Sequence, residues 1–468
     1  MRILLVQPDV NRGRVGYRLV AMPEPLALEI LAAMVPDHDV AILDMRLESD
    51  LAGVLDRFAP DVVCVTALTT EVYAAQKVLA TAKRWNGEVF TAVGGHHATL
   101  LPEDFFLPCV DAVCLGEGEH VFPHLIAAVS KGDGLKDVPN LAWRDGDGGF
   151  VRNGWTVPAF NMDAVARPRR DLTAAYRPEY FWTFNKPDTA VATGRGCPHR
   201  CNFCSVWEFY RGQTRQMSVD RVLEELGGID TRHIAFLDDN FMLNYHREAA
   251  IARRIKAEGI QHTYGMECRT DSIVRHPELI EQWVEIGLEG VLIGLEGATD
   301  RALASVNKKN TARANAEAMR ILRANGLHIW AALLVDPDWT ADDFDALYDY
   351  LKRAEITFMQ CTILTPLPGT QLYREKYDQL LTRDYTCFDA MHAVVPTRLP
   401  REEFYRRFAR LYRELEIRPY FDLVQRGKLK KQDLKKWLSL GHAMSSWEFY
   451  AEGDPVLSGR TGSLIPNS

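Results

Sequence analysis

The chain alternates strand-like and helical patterns in two separate blocks, and this alternation limits its possible folds more than any other feature. In the first block, apolar runs typical of buried strands alternate with segments of helical periodicity. The runs are residues 3–6, 40–43, 62–67, 89–93 and 112–115, and the helical segments include residues 25–35, 51–58, 71–85 and 120–129. Strands separated by helices pair in parallel. We therefore expect a doubly wound, Rossmann-like sheet over residues 1–140.

The second block repeats the alternation over residues 189–395. Its strand-like runs are residues 190–193, 234–237, 264–267, 291–295, 329–335 and 359–364, with helical segments such as 219–226 and 277–286 between them. These runs predict a partial (β/α)6 barrel, whose chemistry belongs at the carboxyl ends of its strands. Residues 141–188 read as a linker that starts with a hairpin turn at residues 144–149, and residues 396–468 as a C-terminal helical domain. The fold class is α/β.

Three cysteines lie close together in the loop that follows the first strand of the second block. Cys197, Cys201 and Cys204 form a Cys-x-x-x-Cys-x-x-Cys run. Three thiolates with this spacing can hold three corners of a four-iron cluster and leave the fourth iron open. Zinc would need four closed ligands, and the neighbouring His199 lies inside the turn. A disulfide framework suits small secreted chains, and a thioredoxin-like pair needs no third thiol, so a [4Fe-4S] cluster is the better interpretation.

The cysteine run, with the aromatic Phe203 before its last cysteine, resembles the radical S-adenosylmethionine (AdoMet) enzymes. The resemblance implies that the open iron binds AdoMet and that the reduced cluster cleaves it to methionine and a 5′-deoxyadenosyl radical. It also implies that polar residues at the later strand ends bind AdoMet, while residues 366–370 shape the adenine pocket. The residues concerned are Asp238, Asp239, Glu267, Arg269, Glu296 and Pro368. For any one of them alone, a structural ion pair or a strand-end cap is an equally good explanation.

The strand ends of the first block look like those of the cobalamin-binding domain that precedes many radical AdoMet barrels. The residues that carry this resemblance are Leu68, Thr69, Thr70, Gly94, Gly95, His96, His97, Thr99, Gly116, Glu117, Gly118 and Glu119. The chain has no Asp-x-His-x-x-Gly run, which in some cobalamin proteins supplies a histidine below the cobalt. We therefore expect the loop at residues 68–70 to cover that face. His96 and His97 are expected to line the corrin or its tail without coordinating cobalt.

The two cofactors together imply a methyltransferase. In such enzymes the deoxyadenosyl radical removes hydrogen from an unactivated carbon and methylcobalamin supplies a methyl group, so each turnover consumes two AdoMet molecules. The chain length, the segment 204–210 and the helical tail look most like the methylases of hopanoid-type lipids. Similar enzymes modify tetrapyrroles, and one branch oxidises or closes a ring without methyl transfer. A non-catalytic cobalamin or redox sensor is a further alternative, but it would have no reason to keep Glu267, Arg269 and Glu296.

Composition agrees with a cytoplasmic enzyme, and the resemblance implies a small-molecule or lipid substrate. The 468 residues carry a net charge of -8, which gives no footprint for a nucleic-acid partner. The apolar N-terminal run ends at Pro8 and Asp9, too early for a signal peptide, and no later run is long enough to span a bilayer. Six cysteines outside the triplet are expected to be inert: Cys64, Cys109, Cys114, Cys268, Cys361 and Cys387.

The tail and the chemistry suggest further partners. Residues 399–417 and 429–440 read as amphipathic helices, and the second is basic, so contact with an anionic membrane surface is one expectation. The basic stretch also has the simpler explanation of a solvated face. Trp437, Trp447 and Phe449 are alternatively expected to close over the active site. Cluster reduction requires an electron donor such as a flavodoxin or a ferredoxin.

Overall fold

The computed structural model describes residues 1–9, 21–156, 161–354, 356, 358–413, 424, 438–439 and 441–458. The strands in chain order are β1 (Arg2–Gln7), β2 (Ala21–Met22), β3 (Asp39–Asp44), β4 (Val62–Thr66), β5 (Phe90–Gly94), β6 (Ala112–Cys114), β7 (Leu141–Arg144), β8 (Phe150–Arg152), β9 (Phe181–Trp182), β10 (Asp188–Val191), β11 (Gly194–Arg195), β12 (Arg215–Gln216), β13 (His233–Phe236), β14 (Thr263–Cys268), β15 (Leu288–Glu296), β16 (His328–Val335) and β17 (Phe358–Ile363). The helices are α1 (Leu26–Ala33), α2 (Leu51–Phe58), α3 (Val72–Trp85), α4 (His96–Leu100), α5 (Gly118–Lys131), α6 (Val206–Phe209), α7 (Val219–Gly227), α8 (Tyr245–Glu258), α9 (Thr270–Arg275), α10 (Pro277–Glu285), α11 (Asp300–Ser305), α12 (Ala312–Ala324), α13 (Ala341–Arg353), α14 (Gln371–Lys376), α15 (Arg401–Arg413) and α16 (Trp447–Ala451).

The first sheet has the strand order β3-β1-β4-β5-β6-β7-β8 among the described residues, and its first five strands are parallel. Alternate side chains of each strand enter different cores: Leu4 and Val63 pack on one face, while Ile3 and Val62 pack on the other. Because both faces are covered by apolar contacts, these strands read as continuous hydrophobic runs. The predicted doubly wound sheet is confirmed.

The hairpin β7–β8 extends this sheet beyond the expected limit at residue 140. Strand β7 pairs antiparallel with β6, with Cys114 opposite Leu141. Leu141 and Ala142 are fully buried, and the hairpin covers what would otherwise be an exposed edge of β6. The sheet therefore continues to Arg152, into the segment that the sequence pattern assigns to the linker.

The second sheet has the order β10-β13-β14-β15-β16-β17 among the described residues, and all its neighbouring strands are parallel. This confirms the predicted partial barrel. Along β15, Val291, Ile293 and Leu295 point into the helix-covered core, so Leu292 and Glu296 belong to the opposite, inner face. We therefore expect the cofactors to bind at this inner face and at the carboxyl edge of the strands.

The two sheets are connected by more contacts than a simple linker would make. Strand β2 pairs antiparallel with β9, which joins the first block to the segment before the second sheet. Tyr373, Tyr385, Phe388 and Val394, which follow the last barrel strand, pack in the core of the first sheet. Residues 189–395 therefore contribute to both cores, and the domain limits inferred from the sequence stay a prediction.

The tail packs against the helical layer of the second sheet. Helix α15 confirms the first predicted tail helix as far as Arg413, and Tyr405 stacks on Tyr450 of α16 at 5.8 Å. Trp447 and Phe449 pack against the apolar cluster that contains Tyr405 and Tyr450, and their closure over the active site stays a prediction. Trp437 and nearly all of the second predicted helix lie outside the described residues. No helix in the described part of the chain combines the length and apolarity needed to cross a bilayer.

Candidate active site

The cysteine loop leaves the second sheet at the carboxyl end of β10. The antiparallel strands β11 and β12 close its base, with Arg195 opposite Arg215. Gly196, directly before the first cysteine, has φ +83°, and a Cβ there would lie 2.1 Å from the carbonyl oxygen of Gln213. A side chain at this position would therefore force the loop open.

Replacing Gly196 by alanine is expected to impair cluster assembly, because the new methyl group collides with a backbone atom that closes the loop. We expect a loss of stability above about 1 kcal/mol and strongly reduced iron binding after reconstitution. Gly212→Ala is the matched control, because Gly212 also has positive φ (+71°) but its Cβ would meet nothing nearer than Arg200 at 4.0 Å. Equal iron content in both variants would contradict this account.

Two adjacent aspartates after β13 hold the start of the loop. Both carboxylate oxygens of Asp238 accept hydrogen bonds from Thr193, one from its backbone N–H and one from its hydroxyl, each at 2.7 Å. Asp239 accepts the backbone N–H of Gly196 at 2.8 Å. Burial raises the pKa of Asp238 to about 6. The sequence predicts both as cofactor contacts, whereas the structure shows them supporting the loop that carries the cysteines.

The three thiols lie together in a partly buried setting. Burial raises the pKa of all three, that of Cys204 to about 12, while Arg269 and Lys308 act in the opposite direction on Cys201. No three His, Cys, Asp or Glu side chains in the described ranges converge as ligands of a single metal ion. A four-iron cluster has no such requirement, because each thiolate binds its own iron. Three thiols beside two cations suit a negatively charged cluster, whose binding would displace the thiol protons.

Glu267 and Arg269, at the end of β14, have different surroundings. Within the described part of the chain, no group hydrogen-bonds the Glu267 carboxyl; burial, with Asp239 and Asp238 nearby, raises its pKa to about 7. Arg269 is buried, and donates to Asp271 at 2.8 Å and to the carbonyl of Lys308 at 3.0 Å. Glu267 is therefore free to meet a cation, while Arg269 is held in place beside the cysteines.

Glu296 ends β15 in a strained conformation and has a protein partner. Its φ is +57°, next to a register shift in the pairing of β15 with β16, and its carboxylate binds Nζ of Lys308 at 2.7 Å. Strain of this kind is typical of functional sites. Sequence reasoning missed Lys308, which is 6% exposed. A buried lysine is unusual, but nothing in the Asn-Lys-Lys-Asn run around it reveals its burial.

The loop after β17 joins the cysteine loop to the first sheet. Leu372 donates its N–H to the carbonyl of Asn202 at 2.9 Å, and Gly369 lies against Leu100 of α4. Pro368 is buried in this loop. Phe203 packs on the apolar cluster of Val306, Leu364 and Leu372. Its aromatic ring therefore supports the cysteine loop from behind, and its role as a cofactor contact stays a prediction.

The strand ends of the first sheet lie on the same side of the molecule. Leu68, after β4, is 54% exposed, and its N–H donates to Glu71 at 2.9 Å. Thr69 and Thr70 follow in a single 3-10 turn. Thr99 links the next two turns, because its hydroxyl donates to the carbonyl of Gly95 at 2.8 Å and accepts the N–H of Gly116 at 2.9 Å. An exposed leucine among ordered turns suits a flat apolar ligand such as a corrin face.

The two histidines of this edge do different things. His97 is 1% exposed, and its ring nitrogens contact Thr69 at 3.1 Å and Asp104 at 2.8 Å. It therefore supports the 68–70 loop from beneath, and its predicted contact with the corrin stays a prediction. His96 reaches into the cysteine loop, where Nε2 lies 2.7 Å from the hydroxyl of Ser205. Burial, with a smaller effect from His97, lowers the pKa of His96 to about 4, so the ring is neutral.

Glu117 and Glu119 form ion pairs between the two domains. Glu117 binds Arg195 at 3.0 Å and also contacts Arg215, while Glu119 contacts Arg195. Both arginines lie in the ribbon that closes the cysteine loop. Their carboxylates therefore neutralise the base of the cysteine loop, and their predicted contact with cobalamin stays a prediction. Gly94 ends β5 and Gly118 begins α5 in the same edge.

A Rossmann-like ligand domain is thus joined at its strand ends to a partial barrel whose first loop presents three cysteines. This arrangement defines a class of enzymes that combine cobalamin with radical AdoMet chemistry. Family models agree: the B12 binding domain matches residues 18–126, and the Radical SAM superfamily matches residues 191–351.

Individual relatives extend this assignment over most of the chain. The hopanoid C-3 methylase of Methylococcus capsulatus is 34% identical over 86% of this chain and 78% of its own length. An anaerobic magnesium-protoporphyrin IX monomethyl ester cyclase of Rubrivivax gelatinosus is 26% identical over 94% and 81%. The fold matches that of the methyltransferase TsrM from Kitasatospora setae, solved with cobalamin and a [4Fe-4S] cluster, with a TM-score of 0.65, 19% identity and coverage of 81% and 78%. The chain belongs to the cobalamin-dependent radical AdoMet methyltransferases, and its cofactors are a [4Fe-4S] cluster, AdoMet and cobalamin.

Proposed function

We propose that the enzyme methylates an unactivated sp3 carbon of an apolar, ring-containing lipid of the hopanoid kind. The similarity to the hopanoid methylase covers both cofactor domains, which supports the reaction type. The structural observation that favours an apolar substrate is a cavity on the inner face of the second sheet. Phe184, Leu292 and Trp330 line it, Trp182 packs over Gly265, and the polar Glu289 and His328 also face it.

The cavity lies near the amino ends of β15 and β16, so a substrate held there would have to extend along the inner face of the sheet to reach the cofactors at the carboxyl edge. Gly265 and Glu267 lie on the same face of β14, two residues apart, which corresponds to about 7 Å along the strand. Trp330 stacks on Phe358 at 5.5 Å, with Phe184 at 5.0 Å from Phe358. Flat apolar surfaces of this kind bind ring systems without requiring polar partners. A lipid held there would present one carbon to the carboxyl edge of the barrel.

The chain's own residues would then bind and orient the cofactors. Cys197, Cys201 and Cys204 would hold the cluster, and Glu267 would bind the ammonium group of AdoMet. Lys308 keeps Glu296 in a fixed position at the end of the neighbouring strand β15. When bound, the cofactors supply hydrogen abstraction and methyl donation, so a general base is not required.

AdoMet affinity is expected to fall below pH 7 if Glu267 binds the ammonium group. The raised pKa, about 7, means that acidification protonates the carboxyl of the free enzyme and removes its attraction for a cation. The dissociation constant should rise by up to about tenfold per pH unit below 7 in the wild type. Glu267→Gln should bind AdoMet weakly, with little pH dependence. Equilibrium binding to cluster-loaded protein tests this, and equal pH profiles of both proteins would contradict it.

The lower face of the cobalt, the location of the protein, its electron donor and its membrane contact are also proposals. We propose that the cobalt has no histidine below it and that residues 68–70 cover that face, which the exposure of Leu68 supports. A cytoplasmic location and a flavodoxin-like or ferredoxin-like electron donor fit the reduced thiols and the cluster. Contact with a membrane surface through the basic residues 426–436 would bring the enzyme to a lipid, although this segment lies outside the described residues.

A second candidate function is ring oxidation or cyclisation of a tetrapyrrole, without methyl transfer. It is favoured by the relative from Rubrivivax gelatinosus, which aligns with 94% of this chain. Membership of an enzyme family argues against a non-catalytic sensor.

Anaerobic turnover with AdoMet that carries a deuterated methyl group separates the two candidates. With a hopanoid that lacks a methyl group at C-3, the proposal predicts a product with the labelled methyl group. One 5′-deoxyadenosine and one S-adenosylhomocysteine should form per product. An oxidised tetrapyrrole, with 5′-deoxyadenosine but no labelled product, would favour the cyclase alternative. Abortive 5′-deoxyadenosine release with both substrates would refute both.

A further inference from the structure

His96 of the first domain contacts the residue that directly follows a cluster cysteine. Its Nε2 is 2.7 Å from the hydroxyl of Ser205, which directly follows Cys204. The imidazole also stacks on Phe209, with ring centroids 4.6 Å apart and planes 8° from parallel. These two contacts fix both the distance and the orientation of the His96 ring relative to the segment that carries the third cysteine.

The next residue makes the corresponding contact on the cobalamin side. His97 is buried, and its Nδ1 lies 3.1 Å from the hydroxyl of Thr69, in the 68–70 loop. His97 also donates its backbone N–H to the carbonyl of Ala67 at 3.0 Å. A short series of contacts therefore connects Ser205 to Thr69 through two adjacent histidines.

We propose that His96 is a positioning residue that sets the separation of the cluster loop from the cobalamin loop. The family reaction requires groups bound to different domains to meet, so the relative placement of these two loops determines the reaction geometry. A displacement of about 1 Å can reduce the rate of such a step by about 100-fold. The proposal rests on the two-cofactor reaction and is independent of the substrate's identity.

The surroundings of His96 support a geometric role over an electrostatic one. Its half-buried ring lies against Phe209 and Ser205, and within the described ranges it forms no ion pair with a carboxylate. The ion pairs of Glu117 and Glu119 already hold the base of the loop. Loss of the single neutral hydrogen bond of His96 should therefore leave the domains associated. The segment after Cys204 should, however, lose its fixed position relative to the first domain.

The test compares His96→Ala, Ser205→Ala and the double variant with the wild type. The first readout is hydrogen exchange of residues 196–210 in protein without cofactors, which should become faster in all three variants. The second is methyl transfer from AdoMet to reduced cobalamin on the enzyme. In this step the carbon–sulfur bond breaks, a carbon–cobalt bond forms with both electrons from cobalt, and S-adenosylhomocysteine leaves. It requires no lipid substrate, so failure to methylate a lipid leaves this test intact.

We expect methyl transfer to slow at least tenfold in each variant, while abortive 5′-deoxyadenosine formation and the iron and cobalt contents stay within twofold of the wild type. The double variant should be no slower than either single variant, because both remove the same contact. Ser205→Thr, which keeps the hydroxyl, should restore the rate. His120→Ala, which removes a partly exposed histidine contacting Thr156 at 3.3 Å, is the control.

Two results would overturn the proposal. One is a methyl-transfer rate in Ser205→Ala equal to that of the wild type, which also decides the matter if His96→Ala fails to fold. The other is an equal loss of methyl transfer and of 5′-deoxyadenosine formation, which would show that the contact only maintains the fold of the loop.

Discussion

Replacing Cys201 by alanine is expected to abolish 5′-deoxyadenosine formation and to remove nearly all bound iron. Cys201 is the most buried of the three thiols, and Arg269 and Lys308 lie beside it. Without this thiolate the cluster keeps only two protein ligands, and the cations lose the charge they compensate. We expect activity to fall by more than about 1,000-fold, with cobalamin binding retained, since the cobalamin loops belong to the other domain.

The matched control is Cys268→Ala. Cys268 lies at the end of β14, near the same carboxyl edge, but it is buried in the apolar core of the second domain. Its loss should cost about 1 kcal/mol of stability and leave the iron content unchanged. Iron content and 5′-deoxyadenosine release, measured together on both variants, separate a ligand from a buried thiol. Full activity of Cys201→Ala would refute the cluster assignment.

Replacing Glu117 by alanine is expected to destabilise the protein by about 3 kcal/mol or more. Glu117 is 5% exposed at its side chain and faces Arg195 and Arg215, each 13% exposed. Its removal leaves Arg215 without this partner and Arg195 with Glu119 alone. Because these arginines lie between the two domains, loss of the carboxylate that both of them contact weakens the interface and the cysteine loop.

Glu103→Ala provides the comparison for the Glu117 variant. Glu103 also pairs with an arginine, Arg152, but the two side chains are 53% and 46% exposed. Such a pair contributes at most about 1 kcal/mol, because water screens it. Denaturant unfolding of both variants measures the difference. A similar small loss in both would show that the interdomain ion pairs do not hold the cysteine loop in place.

Sequence patterns predict the two sheets because their information is local. Runs such as residues 62–66 and 291–295 carry their apolar pattern within a few residues. This local pattern is enough to predict that the segment is a strand, which faces of it are buried, and where it falls in the alternation of strands and helices. The three cysteines are equally local, since their spacing is fixed within eight residues of sequence. The hairpin β7–β8 shows the limit: its turn is evident, but its pairing with β6 depends on an edge elsewhere in the fold.

The polar site residues are harder to assign for the same reason. Glu117 sits in a glycine-rich strand end that resembles a ligand loop, yet its partner Arg195 lies 78 residues further along the chain. Lys308 meets Glu296 through the loop between two helices. His96 meets Ser205 across 109 residues. None of these partners carries a local sequence signal, so a strand-end motif identifies the edge correctly but not which side chains remain free for a cofactor.

The most direct test of the two-cofactor assignment is the metal content of protein purified without oxygen from cobalamin-fed cells, together with its cob(II)alamin electron paramagnetic resonance spectrum. The account predicts about four irons and one cobalt per chain, with no nitrogen splitting from a ligand below the cobalt. Four irons without cobalt would contradict it, because the first domain would then have another role and methyl transfer through cobalamin would be excluded.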